Sequence, residues 1–319
     1  MMALLIIASL LVAFILALIA CPLFIKRMKK LQYGQQIRED GPARHASKAG
    51  TPTMGGVVIL LTAALTAIIL AGSSLLTYII LLVMLGCGMI GFIDDYLKIA
   101  KNRSLGLKAR SKLAGEIIIA ALFILALYFA GHYNSAVNLP FSDTSVNLGF
   151  IYPLFVFLIV TSATNTVNLT DGVDGLAAGT TVIALAAFLY IALKAGLPVV
   201  AVVCAALIGA CLGFLVYNRH PARLFMGDVG SLGIGGAFAA VAVLTKTELL
   251  LIVIGGIFVI EALAVIAQVI SFQLTGRRIL LMAPLHHHFE LKGWSEWRVV
   301  GTFWVAALIF ALIGVSAYG

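Results

Sequence analysis

Residues 75–113 read LLTYIILLVMLGCGMIGFIDDYLKIAKNRSLGLKARSKL, and this stretch decides the fold. Its first part, residues 75–93, carries no charged side chain and is long enough to cross a bilayer as an α-helix. Asp94 and Asp95 follow at once, and six basic residues lie within residues 96–113. The pattern predicts a transmembrane helix that ends in a carboxylate pair beside a basic membrane face.

The rest of the chain has the same apolar character. Hydrophobic residues make up 62% of it and charged residues 11%, with a mean hydropathy of +1.12. Soluble domains contain about 25% charged residues, so a soluble globular protein is excluded. We predict an all-α polytopic membrane protein, with residues 1–319 forming a single domain and five cytoplasmic loops forming the active site. About ten transmembrane helices are expected, the eighth of them short and glycine-rich, near residues 2–25, 54–71, 75–93, 113–131, 150–168, 176–193, 197–217, 231–245, 249–272 and 299–318.

The basic residues are divided unequally between the two sides of these segments. Lys194 and Lys246 fall on one side, and the other 19 of the 21 basic residues fall in four of the five loops on the opposite side. The positive-inside rule makes the five loops cytoplasmic and places both termini outside. The net charge of +8 is therefore gathered on one membrane face. It suits anionic headgroups or phosphorylated substrates and does not indicate nucleic-acid binding. The five loops are residues 26–53, 94–112, 169–175, 218–230 and 273–298.

Three of the cytoplasmic loops place aspartates at helix ends, two of them beside glycine. Asp94 and Asp95 end the third segment, TNTVNLTDGVDGLAAG (164–179) follows the fifth, and YNRHPARLFMGDVGSLG (217–233) precedes the eighth. Carboxylates of this kind suit Mg²⁺, which also binds substrate phosphates. The basic residues of 98–112 and Lys48 would neutralise the remaining anion. A helix cap or a solvated charge is the simpler alternative for each aspartate taken alone. Together they favour a metal–phosphate site.

The fifth loop contains APLHHHFELKGWSEWR, residues 283–298. Three consecutive histidines do not readily bind one tetrahedral zinc ion, so we expect His286, His287 and His288 to bind a phosphate or a sugar. A purely structural loop remains the alternative. Glu261 lies inside the ninth apolar segment, where both a proton relay and interhelical hydrogen bonding fit, and we favour the structural role.

Five motifs in this order and spacing resemble the phospho-N-acetylmuramoyl-pentapeptide-transferase family: SKAGTPTMGG (47–56), FIDDYLK (92–98), NLTDGVDGLA (168–177), NRHPARLFMGDVGSL (218–232) and APLHHHFE (283–290). The resemblance covers essentially the whole chain. The aspartate loops are shared by the wider superfamily of polyprenyl-phosphate N-acetylhexosamine-1-phosphate transferases, whereas APLHHHFE resembles the muramoyl-pentapeptide branch alone.

The resemblance implies a Mg²⁺-dependent transfer of phospho-MurNAc-pentapeptide from UDP-MurNAc-pentapeptide to undecaprenyl phosphate, giving lipid I and UMP. It implies a multi-pass protein of the bacterial inner membrane with a cytoplasmic active site, and homodimers are common in the family. By motif, Asp228 is the principal metal ligand, Asp94 and Asp95 are the catalytic pair, and Phe225 lies against the uracil ring. The remaining residues expected around the nucleotide and phosphosugar are Lys48, Asn168, Asp171, Asp174, Asn218, His286, His287 and His288, together with Lys98 and Lys112 of the basic loop.

Two other functions compete with this one. A transferase of the same superfamily that acts on UDP-GlcNAc would share the aspartate loops. A secondary transporter would also have ten spans and an intramembrane Glu261, but transporter sites lie near the bilayer midplane, and most of the acidic residues here lie at one interface. The sequence does not separate direct attack by the lipid phosphate from a route through a phospho-aspartyl enzyme.

Overall fold

The computed structural model describes residues 1–31, 50–101, 105–142 and 144–318, and most of them are helical. Lys48 lies outside these residues. The helices are α1 Met2–Lys30, α2 Gly56–Leu70, α3 Leu75–Ala100, α4 Ala109–Phe129, α5 Tyr152–Thr170, α6 Leu176–Lys194, α7 Pro198–Asn218, α8 Gly227–Leu244, α9 Leu250–Ile254, α10 Gly256–Thr275, α11 Leu285–Leu291 and α12 Glu296–Ser316. A short 3₁₀ turn at Gly149–Ile151 precedes α5.

The all-α polytopic membrane fold is confirmed. Within the described part of the chain, nine helices are long and apolar enough to cross a bilayer. The segment predicted at 54–71 forms α2, which has 15 residues and extends about 22 Å at 1.5 Å per residue. The segment predicted at 249–272 is divided, because the α-helix is interrupted at Gly255 between α9 and α10.

A small β-hairpin is among the elements that the apolar pattern did not predict, and the short helix α11 is another. The strands β1 (Ala136–Asn138) and β2 (Ser145–Asn147) pair antiparallel, with Val137 opposite Val146. They lie in the connection between α4 and α5. Each strand has only three residues, too few to show a periodic pattern against the surrounding helical hydropathy.

The glycine-rich α8 lies at the centre of the bundle. In the most apolar 18-residue stretch of α8, 83% of the residues are buried, compared with 22% in the corresponding stretches of α1, α4 and α10. Gly230 of α8 faces Gly56 of α2 so closely that a Cβ on Gly56 would overlap the α8 backbone. Small residues allow such close helix contacts within a membrane, where dispersion forces replace the hydrophobic effect between helices. The short eighth segment is therefore the core of the fold, and α1, α4 and α10 form its lipid-facing exterior.

The loops at one end of the bundle are joined to one another. Phe225 N–H donates to Pro52 O at 2.9 Å, and Gly175 N–H donates to the Asn218 side chain at 3.0 Å. At the opposite end of α8, Lys246 Nζ donates to Asn134 O at 2.9 Å. The fold thus gathers the aspartate-containing loops at one end and the hairpin at the other.

Candidate active site

Asp94, Asp95 and Asp228 meet where the end of α3 packs against the start of α8. One carboxylate oxygen from each lies within 4.8 Å of the other two. Gly91, one turn before Asp94, touches the backbone carbonyl of Asp228, where any larger residue would overlap it. The missing side chain is therefore what lets the two helices bring their carboxylates together.

Backbone N–H groups hold the two adjacent aspartates in different directions. Asp95 Oδ2 accepts from Val229 N–H in the first turn of α8 at 3.2 Å, where the helix N-terminus favours a negative charge. Asp94 Oδ1 accepts from Leu107 N–H at 2.7 Å. Both residues are almost fully buried, whereas the Asp228 side chain is 15% exposed. Asp228 is thus the carboxylate of the three that solvent or substrate reaches most readily.

Two lysines lie among these carboxylates. Lys98 Nζ is 2.6 Å from Asp94 Oδ2 and 3.1 Å from Asp228 Oδ1. Lys112 Nζ is 2.6 Å from Asp228 Oδ2 and 3.1 Å from Asp94 Oδ1. Lys98 also approaches Asp95 Oδ1 at 3.4 Å. The cluster therefore combines three acidic groups with two ammonium groups. The carboxylates can bind a cation, and the ammonium groups can bind an anionic substrate.

The loop after α5 adds two polar groups to the cluster. Asn168 Nδ2 donates to Asp228 Oδ1 at 3.1 Å and to Ser231 Oγ at 2.9 Å. Asp171 accepts a hydrogen bond from Gly227 N–H, but burial and the charges of Asp228 and Asp95 outweigh it and raise the pKa of Asp171 to about 7. A cation beside Asp228 would oppose that shift.

The donor set fits a hard divalent cation. Asp94, Asp95 and Asp228 supply only carboxylate oxygens, and they come from two helices that hold them at one place. Mg²⁺ prefers such ligands and retains positions for water and phosphate. The residues present therefore fit a divalent metal ion of this kind.

Two of the predicted substrate-binding residues make framework contacts. Asn218 is buried; its Oδ1 accepts from Gly175 N–H, and its Nδ2 donates to Leu224 O at 3.0 Å. Asp174 is also buried, and its Oδ2 accepts from Ala222 N–H at 3.0 Å. These two side chains hold the loop after α5 against the loop after α7. The adjacent Phe225 is half-buried and fixed through its backbone to the segment that precedes α2.

Asp174 also belongs to a cluster that the sequence did not indicate. His220 Nδ1 lies 3.1 Å from Asp174 Oδ2 and 3.2 Å from Glu296 Oε2. Glu296 begins α12, which is distant in sequence from both partners. In the sequence, the one indication of a role for His220 was that it lies in the same motif as Asn218.

The histidine helix α11 is attached to the bundle by Glu261. The Glu261 carboxylate accepts from Leu285 N–H at 2.6 Å and from His286 N–H at 3.2 Å, and His286 Nδ1 lies 3.1 Å from Glu261 Oε1. A carboxylate at the first turn of a helix satisfies N–H groups that have no partner within the helix. The structural role favoured for Glu261 is the one that these contacts support.

Each of the three histidines uses its Nδ1 atom within the protein. His286 uses it with Glu261, His287 with Glu290 Oε2 at 2.8 Å, and His288 Nδ1 accepts from Leu281 N–H at 3.1 Å. Burial and the charge of Lys292 lower the pKa of His288. His286 is fully buried, and its Nε2 atom lies against Gly172, next to Asp171. The histidine loop therefore reaches the aspartate site through His286.

Seven of the predicted residues thus lie together around one point, and the other predicted residues that the structure describes support or adjoin the neighbouring loops. The seven are Asp94, Asp95, Lys98, Lys112, Asn168, Asp171 and Asp228.

Comparisons with known proteins identify the family. The model of glycosyl transferase family 4 matches residues 76–246, and phospho-N-acetylmuramoyl-pentapeptide-transferase signature 1 matches residues 48–60. The phospho-N-acetylmuramoyl-pentapeptide-transferase of Geobacillus kaustophilus is 51% identical over 314 residues, which is 97% of this chain and 97% of the relative. The chain belongs to the phospho-N-acetylmuramoyl-pentapeptide-transferase family.

Other relatives agree over the same length. The enzymes of the same name from Shouchella clausii and Bacillus velezensis are 50% and 48% identical, and each match covers 96% of this chain and at least 95% of the relative. Because these matches cover at least 96% of this chain, membership of the phospho-N-acetylmuramoyl-pentapeptide-transferase family applies to the whole chain. This family membership sets aside the secondary transporter.

Proposed function

We propose that this chain transfers phospho-MurNAc-pentapeptide from UDP-MurNAc-pentapeptide to undecaprenyl phosphate, releasing UMP and forming lipid I for peptidoglycan synthesis. The observation that carries the proposal is the meeting of Asp94, Asp95 and Asp228 with Lys98 and Lys112 in a member of this family. A UDP-GlcNAc-specific transferase is less well supported, because the relatives and the signature name the muramoyl-pentapeptide enzyme.

The side chains of the site can hold the two anionic substrates, the donor diphosphate and the lipid phosphate, close to each other. Asp228, the most accessible carboxylate of the three, would be the principal ligand of Mg²⁺, with Asp94 and Asp95 beside it. When bound, the ion supplies charge neutralisation to the diphosphate and to the departing UMP. Lys98 and Lys112 would bind phosphate oxygens and so reduce the repulsion between donor and acceptor.

The reaction needs only one bond exchange at phosphorus. An oxygen of undecaprenyl phosphate attacks the β-phosphorus of the donor, and the bond to the bridging oxygen breaks, so that UMP leaves with that oxygen. Asp94 or Asp95 would orient the lipid phosphate and accept its last proton, a transfer that requires little assistance because the second pKa of a phosphomonoester is about 6. Direct attack is the mechanism preferred here over a route through a phospho-aspartyl intermediate.

The remaining family positions would bind the donor. Phe225 would lie against the uracil ring, and Lys48, Asn168, Asp171 and the three histidines would surround the nucleotide and phosphosugar. Asp174 and Asn218 would act by holding the two loops in place, since their side chains bond backbone groups of those loops.

The site would face the cytoplasm of a bacterial cell, at the headgroup level of the inner membrane. The 19 basic residues of the cytoplasmic loops support this orientation through the positive-inside rule, by which both termini would lie outside. The whole chain, residues 1–319, would act as one transferase domain, either alone or as a homodimer.

The experiment is a reconstitution with purified protein in detergent or lipid discs. UDP-MurNAc-pentapeptide, undecaprenyl phosphate and Mg²⁺ are added, and UMP and lipid-linked product are measured. Formation of both products in equal amounts, blocked by EDTA and not supported by UDP-GlcNAc, is expected. Turnover of UDP-GlcNAc at the same rate would favour the alternative donor, and the absence of UMP would contradict the proposed reaction.

A further inference from the structure

Glu116 is a buried carboxylate that the mechanism above does not use. It lies in the first half of α4, is 1% exposed, and faces α5. Its Oε1 atom accepts from Thr164 Oγ1 at 3.0 Å and from Asn165 Nδ2 at 2.9 Å. An ionisable group inside a membrane span is costly unless it is paired, so a specific role is the default expectation.

The helical spacing connects this contact to the active site. Lys112 precedes Glu116 by four residues on α4, and Asn168 follows Thr164 by four residues on α5. Residues four apart lie on the same face of a helix, about 6 Å along its axis. The Glu116 contact therefore joins α4 to α5 one turn away from Lys112 and Asn168.

Lys112 and Asn168 contact the two oxygens of a single carboxylate. Lys112 Nζ is 2.6 Å from Asp228 Oδ2, and Asn168 Nδ2 is 3.1 Å from Asp228 Oδ1. Each of these side chains comes from one of the two helices that Glu116 joins. A change in the separation of α4 and α5 would move Lys112 and Asn168 relative to each other and to Asp228.

We propose that Glu116 is a positioning residue for the transfer reaction, because its hydrogen bonds to Thr164 and Asn165 fix the placement of Lys112 and Asn168 on either side of Asp228. The proposal rests on the proposed function of the Asp228 site. Glu116 acts through the hydrogen bonds that it accepts, and its own carboxylate does not touch the substrate.

The test compares Glu116→Leu, which removes the acceptor, with Glu116→Gln, which retains an oxygen at the same place. Turnover is measured per folded molecule as a function of Mg²⁺, and Mn²⁺ binding without substrates is measured by electron paramagnetic resonance. Misplacement of catalytic groups lowers turnover by about 10-fold to about 100-fold, and this loss is expected for Glu116→Leu, with weaker Mn²⁺ binding. Glu116→Gln is expected to stay within about threefold of the unmodified protein, since an amide oxygen accepts the same two hydrogen bonds.

Glu248→Leu is the matched control. Glu248 is a buried carboxylate that accepts from Tyr152 Oη at 2.8 Å at the opposite end of the bundle. Its loss is expected to lower thermal stability while turnover per folded molecule and Mn²⁺ binding stay unchanged. A purely structural Glu116 would behave in the same way, and that result would overturn the proposal.

Two further outcomes are informative. If Glu116→Gln is as inactive as Glu116→Leu, Glu116 acts through its charge and the positioning role is wrong. If Glu116→Leu yields no folded protein, Asn165→Ala decides, because it removes one of the two donors; weaker Mn²⁺ binding supports the proposal and unchanged binding overturns it. Absence of turnover in the unmodified protein would instead contradict the proposed function, while the Mn²⁺ measurements would still test Glu116.

Discussion

Lys112 Nζ lies 2.6 Å from Asp228 Oδ2, although the two residues are separated by 116 positions and lie on α4 and α8. The same ammonium group is 3.1 Å from Asp94 on α3. Lys112 thus connects three helices at the point where the carboxylates meet. Lys112 therefore lies, like Lys98, among the carboxylates that an incoming phosphate would approach.

Replacing Lys112 by glutamine should therefore lower turnover strongly. Removal of one electrostatic contact to a developing negative charge costs about 100-fold in rate, and this loss is expected in the UMP-release assay. Lys194→Gln is the matched control, because Lys194 is an exposed lysine at the C-terminal end of α6. A Lys112→Gln protein with the turnover of that control would remove Lys112 from the reaction.

A substitution at Gly172 tests whether binding of the UDP donor requires the contact between the histidine loop and the aspartate loop. An alanine Cβ at position 172 would overlap the imidazole of His286, which is fully buried and held by Glu261. Overpacking of this kind costs about 1–3 kcal/mol, and we expect Gly172→Ala to displace His286 and weaken use of the UDP donor.

The control for that variant is Gly301→Ala. Gly301 has an ordinary helical conformation with open space where a Cβ would lie. The apparent KM for UDP-MurNAc-pentapeptide is the measurement for both variants. An equal KM in Gly172→Ala and Gly301→Ala would show that the contact between Gly172 and His286 has no part in donor binding.

The raised pKa of Asp171 predicts how stability changes with pH. The pKa of Asp171 is about 7 in the folded protein, compared with a reference value of 3.8, because burial and the nearby Asp228 and Asp95 disfavour its ionised form. At pH values between 3.8 and about 7, the folded state therefore retains a proton on Asp171 that the unfolded state has lost. Asp171 consequently destabilises the protein increasingly as the pH rises through this window.

Asp171→Asn should therefore stabilise the protein more at pH 8 than at pH 4. The measurement is the thermal unfolding midpoint of both proteins at the two pH values in EDTA. Added Mg²⁺ should reduce the difference at pH 8, since a cation beside Asp228 offsets the repulsion. A difference that is the same at both pH values would be inconsistent with the raised pKa.

The sequence predicted the membrane fold well because hydropathy is a local property. Apolar segments long enough to span a bilayer can be recognised without knowledge of their neighbours, and the basic loops relate them to one another. The aspartates at one end of the bundle could be predicted to share a face for the same reason. The break at Gly255 was missed, although the adjacent glycines Gly255 and Gly256 are a local signal for an interruption of the helix.

Contacts between distant helices could not be predicted in this way. The pairing of Glu116 with Asn165 depends on how α4 packs against α5, and no local pattern encodes that geometry. The side-chain hydrogen bonds by which Asn218 holds two loops together were likewise not evident from the sequence, because they join groups that only the folded loops bring together. Gly91 was the signal available for the close approach of α3 to α8.

Direct measurement of metal binding tests the central claim, that aspartates from separate parts of the chain hold one divalent cation. Mn²⁺ prefers the same oxygen ligands as Mg²⁺ and can be titrated by electron paramagnetic resonance. We predict one tight Mn²⁺ site in the unmodified protein. Loss of a residue that supports a metal ligand lowers metal affinity by about 10-fold to about 100-fold, and Asp228→Asn should lower the Mn²⁺ affinity by more than that. Folding should be retained, as judged by the thermal midpoint. An Asp228→Asn protein that binds Mn²⁺ as tightly as the unmodified chain would contradict the account.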